Sequence, residues 1–163
     1  MERSTWGPGP WDEEPDRLAW EAHGLPCLLV RSSRGSWCGY VGVAPGHPLH
    51  GLDSTSPCEA LRSAWEERKG RPIGNAGIIP TVLAALRDET EAPRLDAVFE
   101  VHGSLTYAGE REPGKTWWFG FDCGHAGDLS PGRGVDGDGI YRTLTYARAE
   151  TERLADQLAR VIA

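Results

Sequence analysis

Within the segment FDCGHAGD, residues 121–128, one imidazole and two carboxylates fall close together: Asp122, His125 and Asp128. Placing such groups at a strand end costs solvation unless they pair, bind a metal or face a pocket. Gly124 and Gly127 make the segment a loop, and a loop of this kind can turn all three side chains inward. A second imidazole, His102 in VHGSLTY, belongs to the preceding strand region.

Three kinds of chemistry fit these residues. Imidazole with carboxylate suits Zn, Mn or Fe, but the spacing matches no named metal motif, so neither a metal nor a cofactor is expected. His125, oriented by Asp122 or Asp128, has the composition of a general base for hydrolysis, with His102, His125 and Asp128 as the catalytic set. Alternatively, His102 and His125 donate hydrogen bonds to a bound anion and no bond is broken. Against all three stands a structural role, in which Asp122 and Asp128 satisfy backbone N–H groups of a tight loop and His125 is a packed imidazole.

A second constellation is GYVGVAPGHPLHG, residues 39–51, where Tyr40 precedes a loop carrying His47 and His50. Gly-His-Pro is ordinary turn chemistry. Pro45 and Pro48 nevertheless stiffen the loop, and a stiff loop holding an imidazole makes a preorganised pocket wall. Trp117 and Trp118 point to opposite faces of their strand. Core packing is expected of Trp117, Phe119 and Phe121, and stacking on a planar ligand of Trp118.

The elements that must position these residues follow from local pattern. Residues 16–23 read as a short helix stopped by Gly24. Residues 25–31 and 37–43 flank a Gly/Ser turn as a hairpin. Alternation along its second strand places Trp37, Gly39, Val41 and Val43 on one face and Cys38, Tyr40 and Gly42 on the other. Residues 57–68 fit an amphipathic helix, 72–80 a bend and 81–88 a further helical run, so that 54–94 reads as a helical insertion. Strands are expected over 95–101, 104–108 and 116–123, the last two joined by a short connection at 109–115. Leu144, Ala147, Thr151, Leu154, Leu158 and Val161 recur at steps of three and four, the signature of a long amphipathic helix.

This order predicts an α+β fold: one domain over 1–163, with a mixed or antiparallel sheet of about five strands packed against a long C-terminal helix. At 163 residues a single core is the norm. The first 14 residues, rich in proline and glycine, read as an irregular arm whose Trp6 and Trp11 are able to dock. There is no βαβ rhythm, no GxGxxG, no phosphate-binding Walker loop and no internal repeat.

Composition narrows the partners. A formal net charge of -7 repels phosphate backbones and anionic lipid at long range, so duplex nucleic acid is not an expected partner. A small anion remains compatible with an acidic protein, because a few arginines and backbone N–H groups can hold it locally. No run reaches the roughly 18 apolar residues of a membrane span. Four widely spaced cysteines, Cys27, Cys38, Cys58 and Cys123, form no C-x-x-C pair and read as reduced and mostly buried, which with the absence of a leader-like start suggests the cytoplasm.

The combination of WCGYV (37–41), GHPL (46–49), VHG (101–103), LTY (105–107) and WFGFDCGHAGD (118–128) resembles a widespread family of small proteins of phages, prophages and bacteria. The resemblance spans about two thirds of the chain and omits the arm and residues 54–94. It implies a phage or prophage setting, hence a bacterial host cell, and transfers no catalytic residue. The leading expectation is an accessory protein that binds a small polar, nucleotide-like ligand, with His47, Tyr40, His102, Trp118, His125 and Asp128 at the site. A phosphodiesterase-like hydrolase acting on such a ligand is the alternative, and a host-protein-binding module is the third. The sequence leaves enzyme or binder open.

Overall fold

The computed structural model describes residues 3, 6–68, 91–111, 114–133 and 139–161. Its centre is a five-stranded antiparallel sheet: β1 (Arg17–Ala22), β2 (Leu25–Arg31), β3 (Trp37–Val43), β4 (Tyr107–Gly109) and β5 (Trp117–Asp122), in the spatial order β1-β2-β3-β5-β4. A small parallel pair, β6 (Asp128–Leu129) with β7 (Ile140–Tyr141), lies outside it. The C-terminal helix Leu144–Ala159 packs across β1, β2 and β3, completing the α+β architecture read from the sequence.

The pleat sorts the side chains. Leu29, Trp37, Val41, Val43, Phe119 and Phe121 are buried on the helix-covered face, meeting Leu154, Ala155 and Leu158 in one core. Cross-strand partners carry the opposite parity to the other face: Cys38 pairs with Asp122, Tyr40 with Gly120, and Gly120 with Tyr107. Gly39 lets the helix approach, because a Cβ there would stand 2.5 Å from both Phe121 and Thr151. Thr143 caps the helix by accepting from the Tyr146 backbone N–H at 3.2 Å.

Two expected elements differ. Where a helix was expected over 16–23, residues 17–22 form β1: Leu18, Trp20 and Ala22 turn inward while Arg17, Ala19 and Glu21 face out. Their period of two is the stronger signal. Gly24 ends a strand instead of capping a helix, for His23 and Gly24 both have positive φ (53° and 75°), as a two-residue I′ hairpin turn requires. Residues 95–101 are not a strand either. Leu95–Val98 makes one helical turn, and Leu95, Val98, Phe99 and Val101 enter the core without a ladder. A short apolar run does not distinguish a buried helix from a buried strand. The strand expected over 104–108 is correspondingly shifted to Tyr107–Gly109.

The helix expected over 57–68 is a 3-10 turn, Glu59–Leu61, running into the α-helix Arg62–Arg68. The helical run at 81–88 lies outside the described residues, as does most of the 54–94 region read as an insertion.

The N-terminal arm docks firmly. Trp6 and Trp11 are buried, and Pro10–Asp12 forms a single 3-10 turn. Glu14 is the bolt: its carboxylate accepts from Arg31 at 2.5 Å, from Trp37 Nε1 at 3.3 Å, from the Leu144 backbone N–H at 2.8 Å and from the Tyr141 hydroxyl. The buried Arg31 guanidinium also lies 4.2 Å from the Trp37 ring, so the charge is both paired and stacked.

Candidate functional site

The loop 123–128 and the turn at 102–103 lie side by side, and the rings of His102 and His125 are 5.6 Å apart. Their surroundings differ sharply. His102 is 3% exposed and bonded at both nitrogens: Nε2 lies 2.6 Å from Asp128 Oδ2 and Nδ1 lies 3.0 Å from the Tyr146 hydroxyl. The carboxylate accepts, so His102 Nε2 carries the proton. Arg142 Nε donates to Asp128 Oδ1 at 2.7 Å, and the His125 backbone N–H donates to Oδ2 at 3.1 Å. Burial alone would raise the Asp128 pKa, but the bonds from Arg142 and His102 together hold it below the ordinary carboxylate value. Arg142, Asp128, His102 and Tyr146 thus form a chain, buried at His102 and Asp128, that ties β6 to the C-terminal helix.

His125 stands at the edge of this chain. Its side chain is one third exposed, its Nε2 is buried without a hydrogen-bond partner, and Asp122 Oδ2 is 3.8 Å away. The ring lies directly over Gly103, where a Cβ would come within 1.9 Å of Nε2. Asp122 faces outward: Oδ1 accepts from the Gly124 N–H at 2.9 Å, while Oδ2 accepts no hydrogen bond among the described residues. The segment 122–128 therefore divides its carboxylates, turning Asp128 into the interior and Asp122 toward solvent.

Beside Asp122 opens a cavity of about 480 Å³ on the sheet face away from the helix. One wall is aromatic, formed by Tyr40 and Tyr107, whose rings meet edge to face at 5.3 Å. Cys38, Asp122 and Gly124 line its middle, and Ser32, Ser33, Ser36, Ser130, Arg34 and Arg133 line its far end. Arg34 and Arg133 are exposed, and neither is ion-paired to a carboxylate among the described residues. The β2–β3 turn supplies one arginine and the 3-10 turn Pro131–Arg133 the other, and the Gly132 N–H donates to the Arg34 carbonyl at 2.8 Å to join them. Trp6 is packed behind both turns, against Gly35 and Gly132.

The cavity's potential nucleophiles are silent. Burial, then the nearby Asp122 charge, pushes the Cys38 thiol pKa up, and burial pushes the Tyr40 hydroxyl up to about 12. Both stay protonated near neutral pH and serve as donors. Arg111 lies over the Tyr40 ring at 3.6 Å, placing a third cation near the aromatic wall. Among the described residues no three His, Cys, Asp or Glu side chains are grouped to hold a metal ion, and no described helix is long and apolar enough to cross a membrane.

The expected site residues are therefore separated. Tyr40 lines the cavity and His125 approaches it through Asp122. His102 and Asp128 lie behind it in the buried chain. His47 is elsewhere: Nδ1 accepts from the Leu49 N–H at 3.2 Å, which fixes the proton on Nε2 to donate to the Leu158 carbonyl at 3.1 Å. Leu158 is about 18 Å along the helix from Tyr146, the neighbour of His102. His50 similarly ties its loop to the Lys115 carbonyl at 2.8 Å. Trp118 shares the open sheet face but packs beside Gly42 and Pro26, away from the cavity, whose aromatic wall is Tyr40 with Tyr107. Tyr107, Arg34, Arg133 and the serines were not singled out from sequence. The signal was present in SSRGS and SPGR, two hydroxyl-and-arginine turns, but only folding shows that they meet.

Comparison of the chain with protein-family models, with curated proteins and with solved structures finds no match.

Proposed function

We propose that the protein binds a small polar, nucleotide-like ligand in the open-face cavity. One observation carries this reading: two arginines with no carboxylate partner among the described residues stand with four serines at one end of the cavity, and a tyrosine pair stands at the other. Hydroxyls and guanidinium groups suit a phosphate, guanidinium by its bidentate fork. The tyrosines offer a flat apolar surface to a ring. In a chain of net charge -7, a local pair of cations with no carboxylate partner among the described residues is a feature that a ligand anion explains.

Binding is favoured over hydrolysis because the nucleophile types in the cavity are held protonated and His102 has no nitrogen left for a substrate. The hydrolytic alternative rests on His125 with Asp122, the imidazole and carboxylate nearest the cavity. The sequence motifs quoted above support a phage or prophage accessory role in the cytoplasm of a bacterial host.

Titration calorimetry with the four ribonucleoside 5′-monophosphates tests the reading. Saturable binding of at least one is expected, weakened about tenfold or more by Arg34→Ala combined with Arg133→Ala, each charge-assisted bond being worth about 1.5–3 kcal/mol. Recovery of the added nucleotide unchanged after incubation separates binding from hydrolysis. Absence of any binding, with a host protein captured instead, overturns the proposal.

A further inference from the structure

Strand register orders the cavity from end to end. Tyr40, Gly120 and Tyr107 form one row across β3, β5 and β4. Two residues along, Cys38 and Asp122 form the next. A further step reaches Ser36 and Gly124: a Cβ on Gly124 would lie 3.1 Å from Asp122 Oδ1 and 3.3 Å from Ser36 Oγ, so glycine is what lets the carboxylate and the hydroxyl border the same space. Ser36 Oγ in turn lies 2.7 Å from Ser32 Oγ at the base of the turn carrying Arg34. From Tyr40 to Ser36 the extended chain covers about 13 Å, long enough to hold a mononucleotide end to end.

Asp122 therefore stands between the aromatic wall and the cationic end. A carboxylate there repels a phosphate and, when ionised, only accepts hydrogen bonds. One oxygen is committed to the Gly124 N–H and the other accepts nothing among the described residues. The part of the ligand beside it must be uncharged and rich in donors. Between a base and a phosphate, that part is a sugar.

We infer that the cavity selects ribonucleotides, with Asp122 Oδ2 accepting from the ribose hydroxyls. This rests on the nucleotide reading of the cavity and adds to it a sugar requirement and the residue that imposes it. Asp122 is about 40% exposed, so an unpaired carboxylate regains water when the hydroxyls are missing, and the discrimination is modest.

The test compares, by calorimetry on the wild-type chain, the ribonucleoside 5′-monophosphates with their 2′,3′-dideoxy counterparts, then repeats both on Asp122→Asn. The wild type is expected to favour the ribo form about tenfold. Asp122→Asn, whose amide oxygen can still accept from Gly124, is expected to narrow that ratio toward one while dideoxy binding stays within about threefold. Equal binding of the ribo and dideoxy forms by the wild type overturns the sugar inference and leaves the nucleotide reading intact. A ratio unaltered in Asp122→Asn overturns the assignment to Asp122. Failure of both nucleotide series to bind overturns the inference together with the reading beneath it.

Discussion

His102 and Asp128 share a 2.6 Å hydrogen bond with side chains only 3% and 1% exposed, and the same carboxylate holds Arg142. A pair so enclosed supports the fold before it serves a ligand. The sequence pattern groups His102 with the ligand-facing residues; its burial and its two occupied nitrogens make it a structural group. Asp128 keeps Arg142 and the His125 N–H when His102 is removed, so the loss is that of the hydrogen bonds of a buried ring, about 1–3 kcal/mol. His102→Ala is expected to lower stability by about that amount in urea unfolding. An unchanged denaturation midpoint would show the chain to be dispensable.

The acid limb of stability follows from Asp128. Its folded pKa is depressed, so the stabilisation it supplies is complete above the unfolded carboxylate value of about 3.9 and is lost as pH falls through the lower folded value. Wild-type unfolding midpoints should therefore decline below about pH 4. Asp128→Asn should be less stable at pH 6 and show a shallower decline between pH 4 and pH 2. Parallel acid limbs in the two proteins would mean the titrating group is another.

Trp6 provides a separate test of how the cavity is held. It is 3% exposed, and the ring lies within about an atom's contact of Gly35 and Gly132, the turns that carry Arg34 and Arg133. Truncating a buried aromatic side chain costs about 3–5 kcal/mol. Beyond that global loss, Trp6→Ala should speed amide hydrogen exchange at 32–36 and 130–133 more than in β3 and β5. Uniform acceleration across the sheet would deny the arm any special relation to the turns.

The sheet and the helix were legible because their signals are periodic. Trp37, Val41 and Val43 alternate along β3, and Leu144 through Leu158 repeat at helical spacing, so burial on one face writes itself into the sequence. β1 was misread because residue types tolerated in helices masked a period of two, and Gly24 serves a helix end and a hairpin turn equally well. The sequence grouped His102 and His125 in one candidate site and placed His102 in a strand region, whereas His102 occupies a turn after Phe99 and Val101 enter the core. What sequence did not reveal was which group faces inward. Asp122 ends β5 and Asp128 opens β6, two like carboxylates flanking one short loop; the partners that hold Asp128 inside, His102 and Arg142, lie 26 residues before it and 14 beyond it. The cavity was still less visible, since strand order brings Asp122 beside Ser36 and the Gly132 N–H to Arg34 carbonyl bond brings in the turn that carries Arg133.

His125 separates support from service most directly. Its Nε2 makes no hydrogen bond, so His125→Ala forfeits none, and the ring is one third exposed. Its backbone N–H, the group that does bond Asp128, is unaffected by the substitution. The expected thermal shift is small, corresponding to less than about 1 kcal/mol, since a half-buried surface group away from a network seldom costs more. What alanine does remove is the imidazole 3.8 Å from Asp122 Oδ2, and with it a group that steadies the carboxylate at the cavity. Nucleotide affinity should then fall severalfold while the melting temperature stays within about 2–4 °C of wild type. Paired melts and titrations on His125→Ala and His102→Ala read the two roles against each other. Should His125→Ala melt as low as His102→Ala, the two imidazoles share one structural network and the cavity has no imidazole of its own.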